Sequence, residues 1–225
     1  MIFKNMSKMM VIGSVVGLLA STVSTDANAN YSHRSGKWES TFKINYEDSA
    51  SIATDKGETT NLNGDWGWGF SLGYNLNEHI LLNYDFSAST PRYNTTLVSD
   101  TGTSLPVTHL LDKYDSQFNI VYNVSTSNLT PYVQAGAGWA YLDSNIPDAP
   151  PQNVCWYDPW WGYICDGYQS TYDDTAFSYN VAVGIRYELP NYMFFRASYK
   201  QSWIDLKHSD TASLGVYQLE IGSIF

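Results

Sequence analysis

In the segment DWGWGFSLGYN (Asp65–Asn75), Trp66, Trp68, Phe70, Leu72 and Tyr74 take every second position, and Gly67, Gly69, Ser71 and Gly73 take the positions between them. Successive side chains of a β-strand point to opposite faces, so a period of two describes one strand with two chemically different sides. One side is bulky and aromatic, the other small and polar.

Seven further segments carry the same period: KWESTFKINYED (37–48), HILLNYDFS (79–87), YDSQFNIVYN (114–123), PYVQAGAGWAYL (131–142), AFSYNVAVGIRYE (176–188), MFFRASYKQSW (193–203) and LGVYQLEIGSIF (214–225). Helical spacing is almost absent, so the sequence predicts an all-β fold of eight strands, each of about 9 to 12 residues. A soluble sandwich also alternates, with its polar face toward water. Two features separate a sandwich from a barrel. Connections alternate in length: NLNE, VSTSNLT and LPN are short, whereas 48–64, 89–112, 143–174 and 205–213 are longer. Short turns on one side and long loops on the other are the layout of an up-and-down transmembrane barrel. The apolar face is also sorted by depth. Strand ends carry Trp38, Tyr46, Trp66, Tyr74, Tyr114, Tyr122, Tyr187, Tyr217 and Phe225, and strand middles carry Leu72, Leu82, Ile120, Ala137, Val181 and Leu219. Aromatic rings at both ends with aliphatics between them describe a lipid-facing belt.

The start of the chain agrees. Lys4 and Lys8 precede the apolar run MMVIGSVVGLLA (9–20), and ANA ends at Ala29. A basic segment, a short apolar core and a small-x-small site describe a secretory signal peptide, 1–29, cleaved after Ala29. The barrel domain is then 30–225. Cleavage removes Lys4, Lys8 and Asp26, so the 12 basic and 22 acidic residues of the whole chain become 10 and 21, a net charge near −11. So acidic a chain makes nucleic acid an unsuitable partner, because phosphate binding needs clustered Lys and Arg. Export to an oxidising compartment pairs the chain's two cysteines, Cys155 and Cys165, as one disulfide.

The signal peptide, the eight alternating segments, PYVQAGAGWAYLD, NVAVGIRYEL and the terminal Phe225 together resemble the small outer-membrane β-barrel family of opacity-type proteins and the membrane domain of outer-membrane protein A. The resemblance covers the mature chain. It implies an eight-stranded antiparallel barrel in the outer membrane of a Gram-negative bacterium, with both termini and the short turns periplasmic and the long loops extracellular. It implies outer-membrane lipid and lipopolysaccharide as surroundings, and Phe225 as the end read by the barrel-assembly machinery. Ser223 departs from the aromatic often found there. The family shares architecture and no common chemistry.

Two places remain where function can reside. The inward set holds Glu39, Lys43, Asp85, Asp115, Arg186, Arg196, Lys200 and Glu220. In a barrel of this size they form either a paired internal network or the lining of a narrow conduit, with the small residues of strands two and five leaving space for it. The second place is CWYDPWWGYIC (155–165) in the third long loop, where Trp156, Tyr157, Trp160, Trp161 and Tyr163 either pack on the rim or form a recognition surface for an extracellular ligand or host. Catalysis has little support. Some barrels of this kind are lipid A deacylases with His and Ser two apart on one strand face. Here His208 and Ser209 are adjacent, so on a strand they would point to opposite faces. His33, His79 and His109 lack metal-ligand spacing, and no cofactor is expected.

Overall fold

The computed structural model describes residues 34–53, 59–98, 104–148, 150, 152–168, 170–206 and 211–225. The leader with its cleavage position after Ala29, together with His33, His208 and Ser209, lies outside the described residues. Thirteen strands run in chain order: β1 (Trp38–Glu47), β2 (Ala50–Ala53), β3 (Thr59–Leu62), β4 (Asp65–Asn75), β5 (Ile80–Ser89), β6 (Arg92–Val98), β7 (Ser104–Asn123), β8 (Leu129–Pro147), β9 (Gln152–Asp158), β10 (Gly162–Tyr168), β11 (Thr171–Glu188), β12 (Met193–Asp205) and β13 (Ala212–Ile224).

Eight of these strands close into a barrel. Pairing runs β7–β5–β4–β1–β13–β12–β11–β8, all antiparallel, and the additional β7–β8 ladder joins the two ends. Closure removes the free edges that an open sheet would expose, which is what makes a sheet viable in hydrocarbon. The chain ends also meet across the seam, since the Trp38 NH donates to the Phe225 carbonyl at 3.0 Å and the Phe225 NH to the Trp38 carbonyl at 2.8 Å.

Burial is inverted relative to a water-soluble protein. On β7, Ile120 is 60% exposed, whereas Lys43 on β1 is fully buried. Along β1, Trp38, Phe42 and Ile44 face out while Glu39, Thr41, Lys43, Asn45 and Glu47 face in. A sandwich would bury the first set and hydrate the second. The outer wall is therefore the apolar surface and the lumen the polar one, the arrangement of a membrane barrel.

Cross-strand pairing stacks the aromatics at two levels. Trp38 meets Tyr74 at 5.1 Å at the end with the short turns. Tyr46 meets Trp66 at 5.2 Å and Tyr179 stacks on Trp203 at 5.2 Å at the end with the loops. Between these levels the wall departs from the expected aliphatic band. Phe70 packs on Phe86 and Tyr84 on Phe118, each at 5.2 Å, so the β4–β5–β7 sector is aromatic through its middle.

Three further expectations are corrected. Strands β7, β8 and β11 have 20, 19 and 18 residues, well beyond 9 to 12. Much of 89–112 and 143–174 thus continues the ladder past the apolar belt, because an antiparallel pair can add hydrogen bonds wherever both strands stay extended, whatever the polarity of the side chains. The fourth long connection, 205–213, shrinks to the residues between Asp205 and Ala212. Five strands lie outside the barrel: β2, β3 and β6 extend the sheet beside β7, and β9 with β10 forms a separate hairpin.

Candidate functional site

The lumen is layered along its axis. At the loop end Ala140, Ala176, Ile204, Ala212 and Leu214 point inward, and Leu62 of β3 packs onto them. Beneath this apolar lid lie the charges. Lys113 pairs with Glu47 and lies 3.3 Å from Asp115, and Lys43 pairs with Asp85. Amides fill the same depth on the other wall: Asn180 Nδ2 donates to Gln117 at 2.9 Å and to Asn119 at 2.8 Å.

Deeper toward the turn end, Glu39 receives Arg186 at 2.8 Å on one oxygen and Arg196 at 3.2 Å on the other. Arg196 continues to Glu220 at 2.7 Å, and Arg186 to Glu188 at 2.7 Å. The Arg186 guanidinium also lies 3.8 Å above the inward ring of Phe194. Arg34, fully buried ahead of β1, finishes this end. It donates to the Glu78 carbonyl at 2.7 Å, to the Ser125 carbonyl at 2.7 Å and to Glu188 at 3.0 Å, so one guanidinium ties two of the short turns to the end of β11. Leu81, Val121 and Tyr132 form a second apolar cluster at this level.

All eight inward charges singled out in the sequence are buried in this lumen. Lys200 lies among Lys43, Asp85 and Asp115, with no carboxylate within ion-pair distance among the described residues. Four members were missed: Arg34, Glu47, Lys113 and Glu188. The last three share the parity of Lys43, Asp115 and Arg186 on their own strands, so the strand period carried them. Arg34 had no such signal, since it precedes the first strand. Among the described residues six buried cations (Arg34, Lys43, Lys113, Arg186, Arg196, Lys200) face six buried carboxylates (Glu39, Glu47, Asp85, Asp115, Glu188, Glu220). Mutual pairing is what offsets the large cost of removing such charges from water.

The small inward residues do not line free space. A Cβ at Gly69 would sit 2.5 Å from Cε of Lys43, and one at Gly67 would sit 2.6 Å from Nδ2 of Asn45. Glycine lets the long β1 side chains lie flat against β4.

The second place is built differently. Cys155 and Cys165 are directly opposed on β9 and β10 and form a disulfide. At the tip, the Asp158 carboxylate accepts from the NH groups of Trp160 at 2.8 Å and Trp161 at 3.0 Å, and Gly162 takes a positive φ of 79°. An Asx turn followed by a left-handed glycine reverses the chain at little cost. The turn presents Trp160 and Trp161, which are 85% and 79% exposed, while Tyr157 and Tyr163 are opposed on the disulfide face. Trp156 lies on the other face with Val154 and Ile164. At such exposure the tip indoles are not packed on the rim beside Trp139, Tyr141 and Phe177.

Of the histidines, His79 sits in a turn with Nδ1 2.7 Å from the Asn123 carbonyl, and His109 packs against Tyr93 at 5.3 Å. No metal-binding group of His, Cys, Asp and Glu occurs among the described residues.

Several solved structures are similar to this chain. Neisserial surface protein A is 14% identical with a TM-score of 0.50, over 85% of this chain and 98% of that one. OprG of Pseudomonas aeruginosa is 13% identical with a TM-score of 0.47, over 86% and 98%. Ail, the attachment invasion locus protein of Yersinia pestis, solved with the heparin analogue sucrose octasulfate, is 17% identical with a TM-score of 0.46, over 84% and 99%. No curated protein matches the sequence. Residues 15–225 match the family described as outer membrane protein beta-barrel domain, and with its closed eight-stranded barrel the chain belongs to this family of Gram-negative outer-membrane proteins.

Proposed function

We propose that this protein is a non-enzymatic surface-interaction protein that makes its contacts through its extracellular loops, above all through the β9–β10 hairpin of the third. The observation that carries this reading is the hairpin's own construction. Exposed tryptophans stand at the tip of a strand pair held by a disulfide and an Asx turn. A large indole face held outside the fold is a binding element, because its burial against a partner is worth more than its exposure to water. A preorganised loop also loses little entropy on binding.

The alternative is a narrow channel for ions or small solutes. Against it stand the charge network across the lumen and the apolar clusters at both levels. The barrel wall serves as the lipid and lipopolysaccharide contact. Leader cleavage after Ala29 and reading of the Phe225 end by the barrel-assembly machinery complete the biogenesis we propose.

Two measurements test the reading. The refolded barrel in a planar bilayer should give negligible conductance, and a steady ion-selective current would favour the channel. Cells displaying the Trp160→Ala/Trp161→Ala variant should lose surface attachment while the barrel stays folded. Unchanged attachment would remove the hairpin from the function.

A further inference from the structure

We infer that the β9–β10 hairpin docks a cationic polypeptide segment, with Lys or Arg side chains seated on the exposed aromatic rings and held by the aspartates around them. This rests on the loop-recognition reading above and adds the chemistry of the partner.

From Lys113 to Arg186 the sequence contains no lysine, arginine or histidine between the two. In that interval the third extracellular loop and the strand ends that carry it supply Asp143, Asp148, Asp158, Asp166 and Asp173. Within this stretch the loop sequence carries carboxylates and no cation. Thr171, Ser170 and the main chain of Trp160 donate to Asp143, Asp148 and Asp158, which orients those carboxylates without neutralising them. Asp166 lies on the hairpin itself and is exposed.

A loop of this charge repels phosphates, sulfated sugars and other polyanions. A neutral ligand would leave the mutual repulsion of the carboxylates unrelieved. A cationic partner relieves it and is also drawn in from a distance by the same field. The aromatic groups agree independently. Ammonium and guanidinium groups are attracted to the faces of Trp and Tyr, with indole the strongest. Trp160 and Trp161 offer such faces at the tip, where their main-chain NH groups hold the Asp158 carboxylate, and Tyr157 and Tyr163 offer two more on the disulfide side. Arg is well suited to this combination, since its planar guanidinium stacks on a ring while its edge donates to a carboxylate.

The test uses the full barrel in nanodiscs of zwitterionic lipid and a fluorescein-labelled decalysine peptide, read by anisotropy. Decalysine should bind and decaglutamate should not. Trp160→Ala/Trp161→Ala should weaken decalysine by about tenfold without changing the net charge. Asp158→Asn with Asp166→Asn, which keeps an oxygen acceptor for the turn, should weaken it and flatten its salt dependence. Three results would overturn the proposal: no decalysine binding, decalysine binding indifferent to the tryptophan change, or preferential binding of a heparin oligosaccharide. An unreduced Cys155–Cys165 peptide in the mass spectrum keeps misfolded hairpins out of the comparison. If the tryptophan variant loses cell attachment although decalysine never binds, the cationic partner falls and the loop reading stands. If attachment is also indifferent, the loop reading falls with it.

Discussion

The lumen and the third-loop hairpin collect residues that a soluble protein would place the other way round, and they do so under opposite rules. In the lumen, charged side chains are buried and matched six against six, with Glu39 shared by two arginines. In the hairpin, large aromatic rings are exposed and the carboxylates around them have no cation in their own loop. Eleven of these twelve lumen charges stand in an ion pair, with Lys200 the exception among the described residues, whereas the large rings of the hairpin tip are exposed. On the reading proposed above, the paired interior serves as the scaffold and the exposed hairpin as the contact surface.

The comparison breaks first at Glu39. Glu39→Gln removes the shared carboxylate from Arg186 and Arg196, and losing one partner of a buried pair costs about 3–5 kcal/mol. Urea unfolding in micelles should show that loss. A change under about 1 kcal/mol would mean the lumen is wet enough to solvate the arginines, and the contrast with the hairpin would weaken.

Next comes the wall. Val181→Arg on β11 places a charge in the lipid belt and should cost about 2–4 kcal/mol. The neighbouring Asn180→Ala, which faces inward, strands the amides of Gln117 and Asn119 and should cost about 1–3 kcal/mol. A Val181→Arg variant as stable as the parent would put the inside and outside of every strand in doubt, since a one-residue slip exchanges the two faces.

The disulfide sharpens the same contrast. Cys155→Ser should release about 3 kcal/mol of constraint by the chain-entropy argument for a ring of this size. That loss is confined to a hairpin that pairs only with itself. Protease should then cut between β9 and β10 sooner, with the barrel midpoint unmoved. A shifted midpoint would show that the hairpin is packed on the barrel after all.

The smallest expected effect on stability is at the tip. Trp160→Ala should change barrel unfolding by less than about 0.5 kcal/mol, as for an exposed position touching little. A clear loss of stability would favour rim packing over the proposed recognition surface.

The period of two identified the eight barrel strands and their facing, because alternation is a local property that each strand writes without help from its neighbours, and the alternation of short and long connections pointed to closure. Most of the lumen charges were legible for the same reason: parity alone sends Glu39, Lys43, Asp85, Asp115, Arg186, Arg196, Lys200 and Glu220 inward. Glu47, Lys113 and Glu188 share that parity at strand ends, where the period fades into loop composition. The pairing of the two cysteines followed from their number and the exported character of the chain, and their opposition on β9 and β10 realises it.

Other features depend on which strand neighbours which, and only the closed barrel supplies that. Glu39 lies between Arg186 and Arg196 although about 150 residues of sequence separate them, because the β1–β13–β12–β11 run of the wall curves round one side of the lumen. The glycines of β4 leave no space for a conduit, because Lys43 and Asn45 of the adjoining strand lie against them. Arg34 has no period to announce it and becomes a clasp only where two turns and the end of β11 converge. Whether the tryptophans pack or project was equally a tertiary matter. Composition fixes how apolar a ring is, but only the separation of β9 and β10 from the barrel sheet leaves Trp160 and Trp161 at the tip largely uncovered.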